Sequence, residues 1–320
     1  MLSNMEKIAV NRKLWLDALR GVAMILVVYG HSIKGWTEYY VFTSPVKMPL
    51  FFLISAYLFN PRSGNLPAFF KNIFWKLVLP WVILGMFPYT HPVDRFLNLL
   101  SGKTAWFMPC LIIAETLWFY IHKLSRSTTQ VVIMALLASG FGFAMHHFHV
   151  MRYAMTDTAF VVQAFFVLGL LIKKYEQQLS ARWMRWLPAV GVVYILIGGG
   201  ILMFWPGESL DVHLNKYFNI PVCAMMIVHG CMCVFMLFKV RNLSPRWLVY
   251  IGQNTLLIYL LHDYFLGAFY RASIYLPVLQ TLPQPLFALL KASFAIAACC
   301  ALAVVVNKYC PVIVGKKKKS

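Results

Sequence analysis

The stretch Trp15-Leu-Asp-Ala-Leu-Arg20-Gly-Val-Ala-Met-Ile-Leu-Val-Val-Tyr-Gly-His31 decides how this chain is read. Its continuous apolar run predicts a helix. Eleven steps of about 1.5 Å then set Arg20 and His31 about 16 Å apart along the axis, half the thickness of a bilayer's hydrocarbon core. A guanidinium and an imidazole inside an apolar helix are costly in lipid, and such residues mark function by default.

Outward from this helix the composition agrees. The chain is 61% hydrophobic and 12% charged, with a mean hydropathy of +0.69, far from the roughly 25% charge of soluble domains. The expected class is all-α: a polytopic membrane protein of about ten transmembrane helices, near 15–34, 45–60, 70–89, 104–122, 129–148, 157–173, 186–205, 218–238, 247–266 and 284–307. The apolar runs are continuous, which excludes the alternating strands of a membrane barrel. One integral-membrane unit is expected over 1–320, with a short N-terminal segment 1–14 and a basic tail 308–320.

The net charge of +19 follows from lysines and arginines gathering on one side rather than from nucleic-acid binding, because the spans interrupt every basic patch. With the N-terminus inside, 21 of the 29 basic residues fall on the cytoplasmic side, so both termini are expected there. Lys316 to Lys319 would anchor against anionic lipid. The seven cysteines lie in or beside apolar segments without ligand spacing and read as buried hydrophobes.

Few residues are placed to do chemistry. His31 can accept a proton near neutrality or attack an acyl carbon; the bland reading is a packing hydrogen bond. Arg20 is either one half of a local pair with Asp17 or a fork for an anionic ligand. Lys71 and Lys76, at the start of the third span, could extend that anion site. Glu115 is the carboxylate that falls mid-span and needs a proton or a partner, His31 or a basic residue. His262 with Tyr259 one turn below forms a polar face at the end of another span. The cluster His146, His147 and His149 reads as interfacial loop histidines, and no metal is expected.

In order along the chain, these segments resemble the membrane acyltransferase-3 family of carbohydrate O-acyltransferases. The resemblance rests on Leu16-Asp17-Ala-Leu-Arg20-Gly with its ten-residue gap to His31, and on Met48-Pro-Leu-Phe-Phe-Leu-Ile-Ser55-Ala-Tyr-Leu-Phe59. It continues through Lys71 to Pro80, Trp106-Phe107 and Ile258-Tyr-Leu-Leu-His262. The chain departs from the family's usual Ser-Gly at Ser55-Ala56 and carries lysines where the family's third span opens arginine-rich.

The resemblance implies transfer of an acyl group, usually acetyl, from cytoplasmic acetyl-CoA or another acyl-CoA to a sugar hydroxyl of a cell-surface glycan or lipid-linked precursor, in the plasma (inner) membrane. His31 would be catalytic, as general base or transient acyl carrier, with Glu115 and Asp17 setting its environment or that of Arg20. Arg20, Lys71 and Lys76 would hold the donor, and Ser55, Trp106, Tyr259 and His262 would shape the passage. The rival from another class is a proton-coupled transporter built on the same intramembrane His, Glu and Arg, although no pair of related halves with interrupted helices is visible.

Overall fold

A computed structural model describes residues 13–33, 35–60, 65–87, 91–150 and 153–316, the side chains of 179–184 excepted. Arg62, the chain before Lys13 and the tail lysines 317–319 lie outside the described residues. Among the described residues no strand occurs, and twelve helices of six residues or more organise the chain: α1 (Leu14–Ser32), α2 (Thr37–Leu58), α3 (Leu66–Gly85), α4 (Pro92–Leu100), α5 (Phe107–Leu124), α6 (Thr128–His147), α7 (Thr156–Val161), α8 (Gln163–Phe204), α9 (Ile220–Val240), α10 (Arg246–Gln253), α11 (Thr255–Ser273) and α12 (Gln284–Tyr309).

Eight helices are long and apolar enough to cross a membrane, nine if the pair Tyr153–Val161 and Gln163–Gln178, bent by 44°, is one span. The remaining expected span, drawn at 247–266, is broken: α10 stops at Gln253, and Asn254 takes φ −119° and ψ 17° before α11 begins. The break is held by polar side chains. Asn254 Oδ1 accepts hydrogen bonds from Asn307 Nδ2 and Lys316 Nζ, both at 2.9 Å. The 19-residue α11 carries His262, Asp263 and Arg271, which takes it out of the strongly apolar set.

The 42 residues of α8 carry most of spans six and seven, with a kink at Tyr175, which lies outside helical geometry. Two passages along α2 are nevertheless present. Phe166 meets Phe52 and Glu176 accepts from the Tyr57 hydroxyl at 2.9 Å, so the first half runs toward Leu58. Tyr194 then donates to Phe42 O at 2.6 Å, back toward the start of α2. A helix keeping its direction would put Tyr194 about 27 Å beyond Glu176, so the chain has turned back.

Close backbone contact fixes α1. A Cβ on Gly252 would overlap the Asp17 carbonyl, and one on Gly21 would overlap that of Leu248, so two glycines let α10 lie directly on α1. In lipid, small residues of this kind replace the hydrophobic effect as the means of helix association. The third span is shaped by Pro80, which has no N–H for the Lys76 carbonyl. Phe74–Val78 widens into a π turn, a local distortion common at functional sites.

Candidate active site

His31 ends α1 with a side chain 48% exposed, so its ring is open rather than sealed. Its Nδ1 lies 3.3 Å from Asp263 Oδ1, and the His262 ring packs edge-on against it at 4.8 Å between centroids. His262 is buried, and its Nδ1 faces the carbonyls of Ile258 and Tyr259 at 3.0 and 2.8 Å. Carbonyls only accept, so Nδ1 carries the proton. His262 Nε2 is then left facing Asp263 Oδ1 at 3.6 Å, beyond hydrogen-bonding distance.

Three cavities run in series through the bundle. The first, about 290 Å³, is lined by Arg20, Ser55, Asn72, Lys76 and Glu115. The second, about 200 Å³, shares Arg20, Ser55 and Glu115 and adds Met48 and Tyr259. The third, about 670 Å³, shares Met48 and Tyr259 and reaches His31, His262 and Asp263. Common walls therefore lead from the Arg20 end of α1 to its His31 end.

The expected residues divide along this path. Asp17 is buried, lies 3.8 Å from Arg20 Nη1, and accepts from Gln253 Nε2 at 3.3 Å, which steadies the Arg20 side of the helix. Lys76 lines the first cavity; the exposed Lys71, five residues earlier, is not part of its wall. Glu115 does not pair with His31. It sits beside the Ser55 hydroxyl, with Arg20 and Lys76 in electrostatic reach, because α5 brings it level with Arg20 rather than with the end of α1. The carboxylate against His31 is Asp263, a residue the motif reading passed over although it directly follows His262.

Tyr259 stands where the second and third cavities meet. Its hydroxyl accepts from the Phe107 N–H at 3.0 Å, an orphan donor of the first turn of α5. Just before that turn Ala105 is left-handed, φ 51°, and the chain swings Trp106 into the third cavity, where it stacks on His213 at 4.9 Å. His213 and Asp211 come from the loop joining α8 to α9. Asp211 Oδ1 accepts from the amides of His213 and Leu214 at 2.8 and 3.3 Å. Asn215 pins the loop to Asp157 at 3.2 Å and Thr158 at 3.0 Å. Burial pushes the His213 imidazole below its ordinary range, with Asp211 opposing and His31 adding to the shift. Only the pair Asp211-x-His213 in a short polar loop could have signalled these residues.

At the departure Ser55-Ala56, the close approach comes from the other side: Gly169 of α8 faces Leu53 and Ala56, and a Cβ there would meet that of Ala56 at 2.9 Å. Among the expected loop histidines, His146 is bonded to the buried Asp157 at 2.9 Å. Among the described residues, the set that could offer ligands to a cation is instead His31, His262 and Asp263, with one donor atom each within 4.8 Å of one another. Three donors leave the fourth corner of a tetrahedral ion to substrate or water.

A family model described as an acyltransferase domain matches residues 13–304, from the start of α1 into α12. The chain belongs to the acyltransferase-3 family. The inner membrane protein YcfT of Escherichia coli (strain K12) is similar to this acyltransferase-3 protein at 29% identity, over 21% of this chain. The match covers 26% of that relative, about a quarter of its length. No solved structure matches the chain.

Proposed function

We propose that this acyltransferase-3 protein moves an acyl group, acetyl in the first instance, from acyl-CoA to a sugar hydroxyl of a cell-surface glycan or its lipid-linked precursor. The observation that carries the reading is the run of three cavities joining Arg20 to His31. Family membership favours acyl transfer over proton-coupled transport.

Donor phosphates would be held by the Arg20 fork and the Lys76 ammonium at the first cavity, the end assigned to the cytoplasm. The pantetheine arm would follow the second cavity past Ser55 and Tyr259, and an alcohol would enter the third. Asp263 orients His31 through Nδ1, leaving Nε2 to take the acceptor's hydroxyl proton as its oxygen attacks the thioester carbon. The carbon–sulfur bond breaks, the ester forms, and the proton passes from Nε2 to the departing thiolate. The membrane would be the plasma (inner) membrane, and the lysines of the C-terminal tail would meet its lipid.

Purified protein with labelled acetyl-CoA and extracted glycan tests this directly. Label should enter glycan with the wild type and fail to do so with His31→Ala. Wild-type protein that labels no glycan, and instead dissipates a solute gradient in vesicles, would return the transporter reading.

A further inference from the structure

The third cavity holds a charge that acyl transfer to a neutral sugar leaves unused. Lys47 lies within α2, an apolar span, where an ammonium needs compensation. Its Nζ lies 4.8 Å from the centre of the Tyr40 ring and 5.7 Å from that of Tyr39. Both tyrosine hydroxyls are committed elsewhere: Tyr39 donates to Leu26 O, and Tyr40 shares its one proton between Gly30 O and Ile33 O, at 2.7 and 2.8 Å. The rings therefore offer faces, a cation–π cradle. Gly30 completes it. A Cβ there would stand 3.1 Å from Nζ, so the missing side chain lets the ammonium rest on α1 one residue from His31.

Among the described residues, no carboxylate lies within ion-pairing distance of this ammonium. Two carboxylates line the same cavity. Asp263 is engaged by His31, and Asp211, which acts on Lys47 only across the cavity's electrostatics and without an ion pair, turns Oδ1 to its own loop's amides. Two more cations share the wall, Lys103 and Arg95. Arg95 is fastened by Nε to Gly85 O at 2.9 Å and by Nη2 to Phe87 O at 3.2 Å, which holds its guanidinium at the cavity wall. Trp106, stacked on His213, adds a flat apolar platform.

We propose that the third cavity selects an acceptor bearing an anionic group, a sugar carboxylate or a phosphodiester, held by Lys47 and Arg95 while its hydroxyl meets His31. This rests on the acyl-transfer reading above and adds the acceptor's charge to it. The cradle sits beside His31 rather than at the Arg20 end, so it is separate from the donor's own phosphates.

Three acceptors of matched length test it with the full-length protein: a hexuronate oligosaccharide, its methyl ester, and a phosphodiester-linked glycan. The wild type should prefer a charged acceptor over the ester by about tenfold in kcat/KM, equivalent to about 1.4 kcal/mol. Which charged acceptor is preferred distinguishes carboxylate from phosphodiester. Lys47→Gln and Arg95→Gln should bring the ratio towards one by raising KM for the charged acceptor, and Lys47→Arg should keep it. Raising salt on the wild type, which needs no variant to fold, should erode the ratio as well. Equal use of charged and neutral acceptors by the wild type overturns the proposal, as does a ratio that Lys47→Gln leaves alone. So does an equal loss of kcat on every acceptor in Lys47→Gln, which would make Lys47 a stabiliser of the reacting oxyanion. Transfer to neither these acceptors nor extracted glycan sinks the acyl-transfer reading itself, and this proposal with it.

Discussion

His31 Nδ1 and Asp263 Oδ1 face each other at 3.3 Å across the seam between α1 and α11. The two residues are more than two hundred positions apart, and the contact exists because α11 packs along α1. A carboxylate behind one imidazole nitrogen selects the tautomer and stabilises the cation formed when the other nitrogen accepts a proton.

Asp263→Asn should therefore keep the packing and lose the chemistry. The expected drop in kcat is about a hundredfold, the low end of what a positioned base supplies, with donor KM little changed because the donor's cations lie at the far end of α1. Steady-state rates on purified protein check this. An unchanged kcat would leave Asp263 a bystander.

Chelation separates the two roles that His31, His262 and Asp263 could share. As base, orienting acid and packing ring they need no ion, so prolonged dialysis against a chelator should leave the transfer rate unchanged. A rate lost on dialysis and restored by zinc would make the three side chains ligands, and His31 would no longer be the base.

The His213 loop should make the protein acid-sensitive. Burial lowers the imidazole's folded-state pKa below an unfolded value near 6.5, so the unfolded chain binds the extra proton first. The contribution of neutral His213 is complete above about pH 6.5 and is lost as pH falls below it. Melting temperatures measured in detergent from pH 7.5 to 5 should fall less steeply for His213→Gln than for the wild type. Parallel curves would remove His213 from the acid response.

The helical class and the Arg20–His31 axis were legible because both are local: one apolar run, one spacing, one rise per residue. What pairs with what was not local. Glu115, the carboxylate in mid-span, had two expected partners, His31 or a basic residue; depth along α5 sets it against Ser55 and the basic pair Arg20 and Lys76, a choice no local pattern could make. Asp263 looked like an ordinary residue at a helix boundary, although α11 continues to Ser273. The break at Asn254 was hidden as well, since its cause is Asn307 and Lys316, more than fifty positions downstream. Hydropathy reads lipid exposure and is blind to such partners.

Arg20 offers the sharpest division between donor binding and chemistry. It lines the first two cavities, about 16 Å along α1 from His31, too far to touch a reacting carbonyl. A planar fork can grip phosphate through two N–H groups where lysine offers a point charge. Arg20→Lys should then raise KM for acetyl-CoA by about tenfold, the loss of about 1.4 kcal/mol, and leave kcat near wild type. A truncated donor, acetyl-pantetheine, has no nucleotide phosphates. With it, wild type and Arg20→Lys should have nearly equal kcat/KM, both well below the wild type's value for acetyl-CoA. If Arg20→Lys impairs transfer from both donors to the same degree, Arg20 acts on the fold or the acyl passage, through Asp17 and Glu115, and the phosphate site lies elsewhere.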